Sequence, residues 1–149
     1  MAAVRTATVT WSGDLMSGAG SVSAGSSDTF TDLPVSWASR TEDAEGRTSP
    51  EELLAAAHAS CYAMAFSADL GRAGTPPEHL HVSAEVTFEK LDTGWTVVSS
   101  VLTVIGHVPG CTEEAFKRIA EDAKDGCPIS RALAGNVALS VQATLETHA

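Results

Sequence analysis

Apolar positions change their spacing along the chain, and each change marks a predicted element. Near the N-terminus they alternate with Thr and Ser in "VRTATVTW", and turn residues in "SGD" and "SGAG" interrupt them, so a meander of short strands is expected. From Ser49 to Leu70, "SPEELLAAAHASCYAMAFSADL", apolar and small residues run on with no ionised side chain between Glu52 and Asp69. Ser49 offers an N-cap hydroxyl, Pro50 suits the first helical position and Glu52 stands where a capping-box carboxylate belongs. These signals predict a helix from Pro50 to about Leu70, closed by "GRAG" and the Pro76-Pro77 pair. A helix apolar on nearly every side must be buried on most of its faces.

Alternation returns on both sides of "LDTG" and predicts a long β-hairpin turning across Asp92 to Gly94. "TEEAFKRIAEDAKDG" is amphipathic at helical spacing, with Glu113 and Glu114 at the positive end of the helix dipole and Gly126 suited to the C-cap. A short helix, "PISRALAG", and a final strand, "NVALSVQATL", follow, so the fold class is α+β. The charged stretch "RTEDAEGRTS", Arg40 to Ser49, reads as an exposed loop leading into the central helix. No linker divides the chain, and 149 residues suit a single domain over 1–149.

Composition narrows the classes of function. With 44% hydrophobic and 19% charged residues the chain has the make-up of a folded protein. Nineteen acidic against nine basic residues leave a net charge of -10, a field that repels phosphate backbones and anionic lipid. No run approaches the roughly 18 apolar residues of a membrane span, and no signal-type apolar segment opens the chain. A cytoplasmic protein is expected, with neither nucleic acid nor membrane as partner.

The three cysteines, Cys61, Cys111 and Cys127, are too few for a secreted disulfide framework, and in a reducing compartment a thiol pair points to catalysis or metal binding. A thiol attacks as its thiolate, which needs a nearby positive charge or a helix N-terminus. Cys61 lies far past the first turn of its helix, so its cation must come from elsewhere. His58, at i-3, is one candidate, although a neutral imidazole inside an apolar helix more often packs as a hydrogen-bonded core residue. Cys127, in "DGCPIS", sits at an N-cap position before Pro128, and helix-dipole reasoning alone would make it the acidic thiol with Cys61 as its partner. The order of the two thiols stays open on this reading. So do three small core cysteines, or a metal site from His58, Cys61 and Cys127 that lacks a fourth ligand.

"SPEELLAAAHASCYAMAFSADL", the later "GCPISRAL" and the upstream "SWASRTEDAEGRTSPEEL" resemble the OsmC/Ohr family of osmotically inducible and organic hydroperoxide resistance proteins, more closely its OsmC branch. The resemblance runs from "ATVTWSGDL" to the closing strand. It implies antiparallel sheets wrapped around long central helices in an intertwined homodimer. It also implies a thiol-dependent peroxidase that reduces organic hydroperoxides, and hydrogen peroxide less efficiently, in oxidative or osmotic stress. By matching motif, Cys61 would be the peroxidatic thiol, Cys127 the resolving thiol, Arg40 the activating arginine and Glu51 the carboxylate that orients it. Arg47 lies in the same segment as Arg40 and competes for its role, while Cys111 matches no family motif and is taken as structural. The resemblance further implies dihydrolipoyl groups as reductant and no bound metal or flavin. Trp37, Tyr62 and Met64 are weaker candidates for favouring organic peroxides.

Helix geometry adds one constraint. Glu51 and Cys61 are ten residues apart on one helix, which at about 1.5 Å per residue is roughly 15 Å. If Arg40, Glu51 and Cys61 act together, a second subunit with its central helix antiparallel must supply part of the site. The rival reading from another class is a domain of the same fold that binds a small apolar ligand or stress signal without turnover.

Overall fold

The computed structural model describes residues 1–146, so the last three residues of the expected single domain lie outside the described residues. The chain divides into two compact units, Met1–Leu53 and Leu54–Ala149. In the first, β1 (Ala7–Ser12), β2 (Ala19–Ala24) and β3 (Leu33–Val35) form the expected antiparallel meander in the order β1-β2-β3. A short helix, α1 (Trp37–Thr41), follows it. The sequence reading placed Arg40 in an exposed loop; Arg40 instead sits on α1, which exists because Ser36 and Ser39 form a reciprocal capping box at its start. The Ser39 hydroxyl also donates to the Thr48 carbonyl at 2.7 Å and Thr48 bridges to Val35, which ties the segment before the long helix to this unit.

The long helix, α2 (Pro50–Arg72), starts at the predicted proline and passes through the boundary between the units. The Ser49 hydroxyl accepts from the Glu52 N–H at 3.1 Å, as an N-cap should, whereas the Glu52 carboxylate accepts from the Thr48 hydroxyl at 2.6 Å. Burial along α2 differs from expectation. A stripe at four-residue spacing, His58, Tyr62, Phe66 and Leu70, is fully buried, while Met64 is 72% exposed. At 23 residues and a mean hydropathy of 1.2, α2 has the length and composition of a membrane span, with 22% of that stretch buried. The expectation that no segment approaches a span therefore fails on length, because small residues such as Ala keep its hydropathy up without giving it bulk to bury.

In the second unit, β4 (His79–Leu91) and β5 (Gly94–His107) form the predicted hairpin, with Leu91 paired to Gly94 and a bulge at Thr87/Phe88. Helices α3 (Glu113–Gly126) and α4 (Pro128–Leu133) then cross over to β6 (Ala138–Leu145), which pairs with β5 in parallel. The second sheet is thus mixed rather than wholly antiparallel, as a helical crossover between neighbouring strands requires. Thr112 caps α3, and Gly126 is its last residue; the C-cap is Cys127, not the glycine. The core joins the α2 stripe to Leu102 and Val104 of β5 and to Phe116, Ile119, Ala120 and Ala123 of α3. Phe66 and Phe116 meet with ring centroids 5.0 Å apart, and the Tyr62 hydroxyl donates to the Ala120 carbonyl at 2.9 Å.

Gly106 of β5 lets α3 approach this closely. A Cβ there would come within 2.8 Å of the fully buried Phe116 ring and 2.9 Å of Leu80. Gly106→Ala should cost about 1–3 kcal/mol by overpacking, seen as a lower midpoint in chemical denaturation with an unchanged slope.

Candidate active site

Two groups of chemically capable side chains emerge, one in each unit. In the first unit, Glu51 lies in the opening turn of α2 and is nearly buried, and α1 presents Arg40 to it. The Arg40 Nη2 donates to Glu51 Oε1 at 2.7 Å, and Nε donates to both carboxylate oxygens at 3.2 and 3.3 Å. This forked contact fixes the guanidinium plane as well as its charge. The Trp37 ring lies against the same group, 5.5 Å from Arg40 Cζ to its centroid. Arg47, the rival in the sequence, pairs with Glu45 at 3.3 Å instead. Beside Arg40, an apolar cavity of about 410 Å³ is lined by Val9, Trp11, Val22, Val35, Trp37 and Leu53 among others.

In the second unit, Cys127 is both the C-cap of α3 and the N-cap of α4. Its N–H donates to the Ala123 carbonyl and its own carbonyl accepts from the Arg131 N–H, both at 2.9 Å. Pro128 forces the turn between the helices, so the "GCP" triplet fixes the backbone of this cysteine from both sides. Cys127 is fully buried, Cys61 is half-buried, and both thiols are free. Cys61 packs against the core cluster that contains Cys127: burial pushes the Cys61 thiol above its usual range, the neighbouring Cys127 thiol pushes the same way, and the Ile129 N–H at the start of α4 works against both. The net effect holds Cys61 in its thiol form. The α4 N-terminus, assigned by the sequence argument to Cys127 alone, therefore also serves Cys61.

His58 has both ring nitrogens engaged, Nδ1 with Ser100 Oγ at 2.7 Å and Nε2 with Ser130 Oγ at 2.8 Å. Burial lowers its pKa, which favours the neutral ring. It is the hydrogen-bonded core histidine of the first expectation, and the metal alternative loses its nitrogen ligand. Among the described residues, no three His, Cys, Asp or Glu side chains gather where an ion could be held. Of the three weaker specificity candidates, Tyr62 is buried, Trp37 lines the apolar cavity beside Arg40, and the exposed Met64 lines a separate, more open pocket with Ala63, Pro77 and Leu80. The thiol of Cys111, half-buried, donates to the adjacent Thr112 carbonyl. The sequence reading missed the Ile129 N–H and the serine partners of His58. Ser130 was detectable as a polar residue one turn after Cys127, and Ser100 as a serine inside the apolar run of β5.

These features define an α+β dithiol protein in which one cysteine sits on a central helix and the other at a helix junction. Residues 42–142 match the OsmC-like protein family model, and the chain belongs to that family. It is 38% identical over 132 residues to Peroxiredoxin OsmC of Escherichia coli strain K12, covering 89% of this chain and 91% of that one. It is 28% identical over 103 residues to the uncharacterized protein YmaD of Bacillus subtilis, covering 66% and 69%. Among solved structures, the organic hydroperoxide resistance protein OhrB of Bacillus subtilis superposes with a TM-score of 0.71 at 23% identity, over 95% of this chain and 98% of that one. An OsmC-like protein from Vibrio cholerae superposes with a TM-score of 0.73 at 18% identity, over 95% and 99%. The structural likenesses bear on the fold.

Proposed function

We propose that the chain, acting over its whole length as one functional domain, is a cysteine-based peroxidase that reduces organic hydroperoxides, and hydrogen peroxide less efficiently, in stress defence. The observation that carries this reading is the contact of two free thiols, one half-buried and one closed off, in a family whose Escherichia coli member is named a peroxiredoxin. The Cys61 thiolate attacks the terminal peroxide oxygen; the O–O bond breaks, an alkoxide leaves and takes a proton, and Cys61 is left as a sulfenic acid. The Cys127 sulfur then attacks Cys61; the S–O bond breaks, water leaves with the thiol proton, and a disulfide remains. An external dithiol of the dihydrolipoyl type returns both thiols, with no metal or flavin taking part.

Arg40, held by Glu51, supplies the cation that stabilises the thiolate and the leaving alkoxide. Ten residues of helix separate Glu51 from Cys61, so the reading pairs each Cys61 with the Arg40–Glu51 fork of a second copy in a homodimer. Apolar side chains left open on the single chain, Val9 at 62%, Trp11 at 40% and Met64 at 72% exposure, support that partner. The cavity beside Arg40 suits the organic group of the peroxide.

In a coupled assay with dihydrolipoamide, the protein should consume cumene hydroperoxide faster than hydrogen peroxide and elute as a dimer. Binding of cumyl alcohol without turnover would favour a ligand-binding domain instead.

A further inference from the structure

His58 is fully buried and takes no part in the bond-making steps above. A polar group in a core costs stability unless every partner is present, and this one is satisfied at both nitrogens. Its location gives the network a purpose. His58 lies one turn before Cys61 on α2, and Ser130 lies one turn after Cys127 on α4. The His58–Ser130 bond therefore spans the same two helices as the Cys61–Cys127 contact, one turn away on each. Ser100 of β5 anchors the far side of the ring. Helix α4 has only six residues, less than two turns, so its rotation about its own axis is set by what it packs against.

We propose that His58 is a positioning residue for disulfide formation: through Ser130 it holds α4 in the rotation that keeps the Cys127 thiol and the Ile129 N–H on Cys61. The inference rests on the peroxidase reading for its oxidant alone, because the same geometry governs any oxidation that joins these two thiols. His58 neither gives nor takes the proton that leaves with water. It acts through the direction of one hydrogen bond, and this distinguishes it from a residue that only fills the core.

The test uses isosteres that keep one bond each. A glutamine amide reaches the place of Nε2 and an asparagine amide that of Nδ1, so His58→Gln keeps Ser130 whereas His58→Asn keeps only Ser100; Ser130→Ala removes a single hydroxyl. Reduced full-length protein is mixed with one equivalent of cumene hydroperoxide and quenched at intervals with dimedone. Mass spectrometry then counts the Cys61 sulfenic-acid adduct and the Cys61–Cys127 disulfide. The ratio of disulfide formation to sulfenate formation should fall about 10²-fold in His58→Asn and Ser130→Ala and stay within about threefold of wild type in His58→Gln. A wild-type ratio in all three variants, or an equal fall in all three, would overturn the proposal and leave His58 a packing residue.

The same proteins are oxidised in parallel with diamide, which takes up the two thiol hydrogens and becomes the hydrazine while the thiols become the disulfide. If wild type ignores the hydroperoxide but the variants keep the same order with diamide, the peroxidase reading fails and the positioning role stands. If diamide joins the thiols equally fast in every variant, the positioning role fails.

Discussion

Cys61→Ser should lower the rate constant toward an alkyl hydroperoxide by at least about 10⁴-fold, because a serine hydroxyl cannot furnish the anionic nucleophile at neutral pH. Cys127→Ser should keep the first turnover and then stall, since the sulfenic acid on Cys61 has no thiol to condense with. The expected order of the two thiols rests on exposure. Cys61 is half-buried whereas Cys127 has no exposed surface, so on the proposed reading a peroxide should meet Cys61 first even though Cys127 occupies the N-cap of α4. Peroxide consumed per protein over the first seconds and at steady state checks both expectations. Full turnover in Cys61→Ser would reverse the assignment.

Arg40→Met should slow the first step by about 10²-fold, the usual loss when one preorganised charge is removed from a reaction centre. Its pH profile should change as well. Burial and the Cys127 contact raise the Cys61 pKa, so without the guanidinium Cys61 is largely protonated at neutral pH. The rate should then climb about tenfold per pH unit as the thiolate fraction grows, up to the raised pKa, while wild type levels off at lower pH. Glu51→Gln should act in the same direction by releasing the fork, and Arg47→Ala should leave the rate near wild type because Arg47 pairs with Glu45. Mixing Arg40→Met with Cys61→Ser offers a check on the two-copy site. If the proposed dimer shares its sites, a mixed dimer takes Cys61 from one copy and Arg40 from the other and activity should return; no recovery in exchanged dimers would place the arginine and the cysteine in one chain.

Much of this arrangement was legible in the residues, for local reasons. Pro50 with the Ser49 cap fixed the start of α2, the "LDTG" turn fixed the β4–β5 hairpin, and Pro128 after Cys127 marked the α3–α4 junction. The Arg40–Glu51 partnership followed from family resemblance, and the fork at 2.7 Å gives it geometry. What escaped depends on contacts far apart in the chain. Helix α1 is held by two serines and a bond to Thr48, and its five residues leave no periodicity to read. The parallel pairing of β6 is set by the direction of the crossover, which composition does not encode. His58 meets Ser100 and Ser130 across 42 and 72 residues, a spacing no motif carries.

Rapid mixing of the reduced protein with a stoichiometric amount of tert-butyl hydroperoxide, followed by peptide mapping, tests the central claim most directly. The account predicts that each chain consumes one hydroperoxide, releases one alcohol and ends with Cys61 joined to Cys127. Persistence of the hydroperoxide, or an oxidised product at Cys127 or Cys111 with Cys61 still a free thiol, would contradict it.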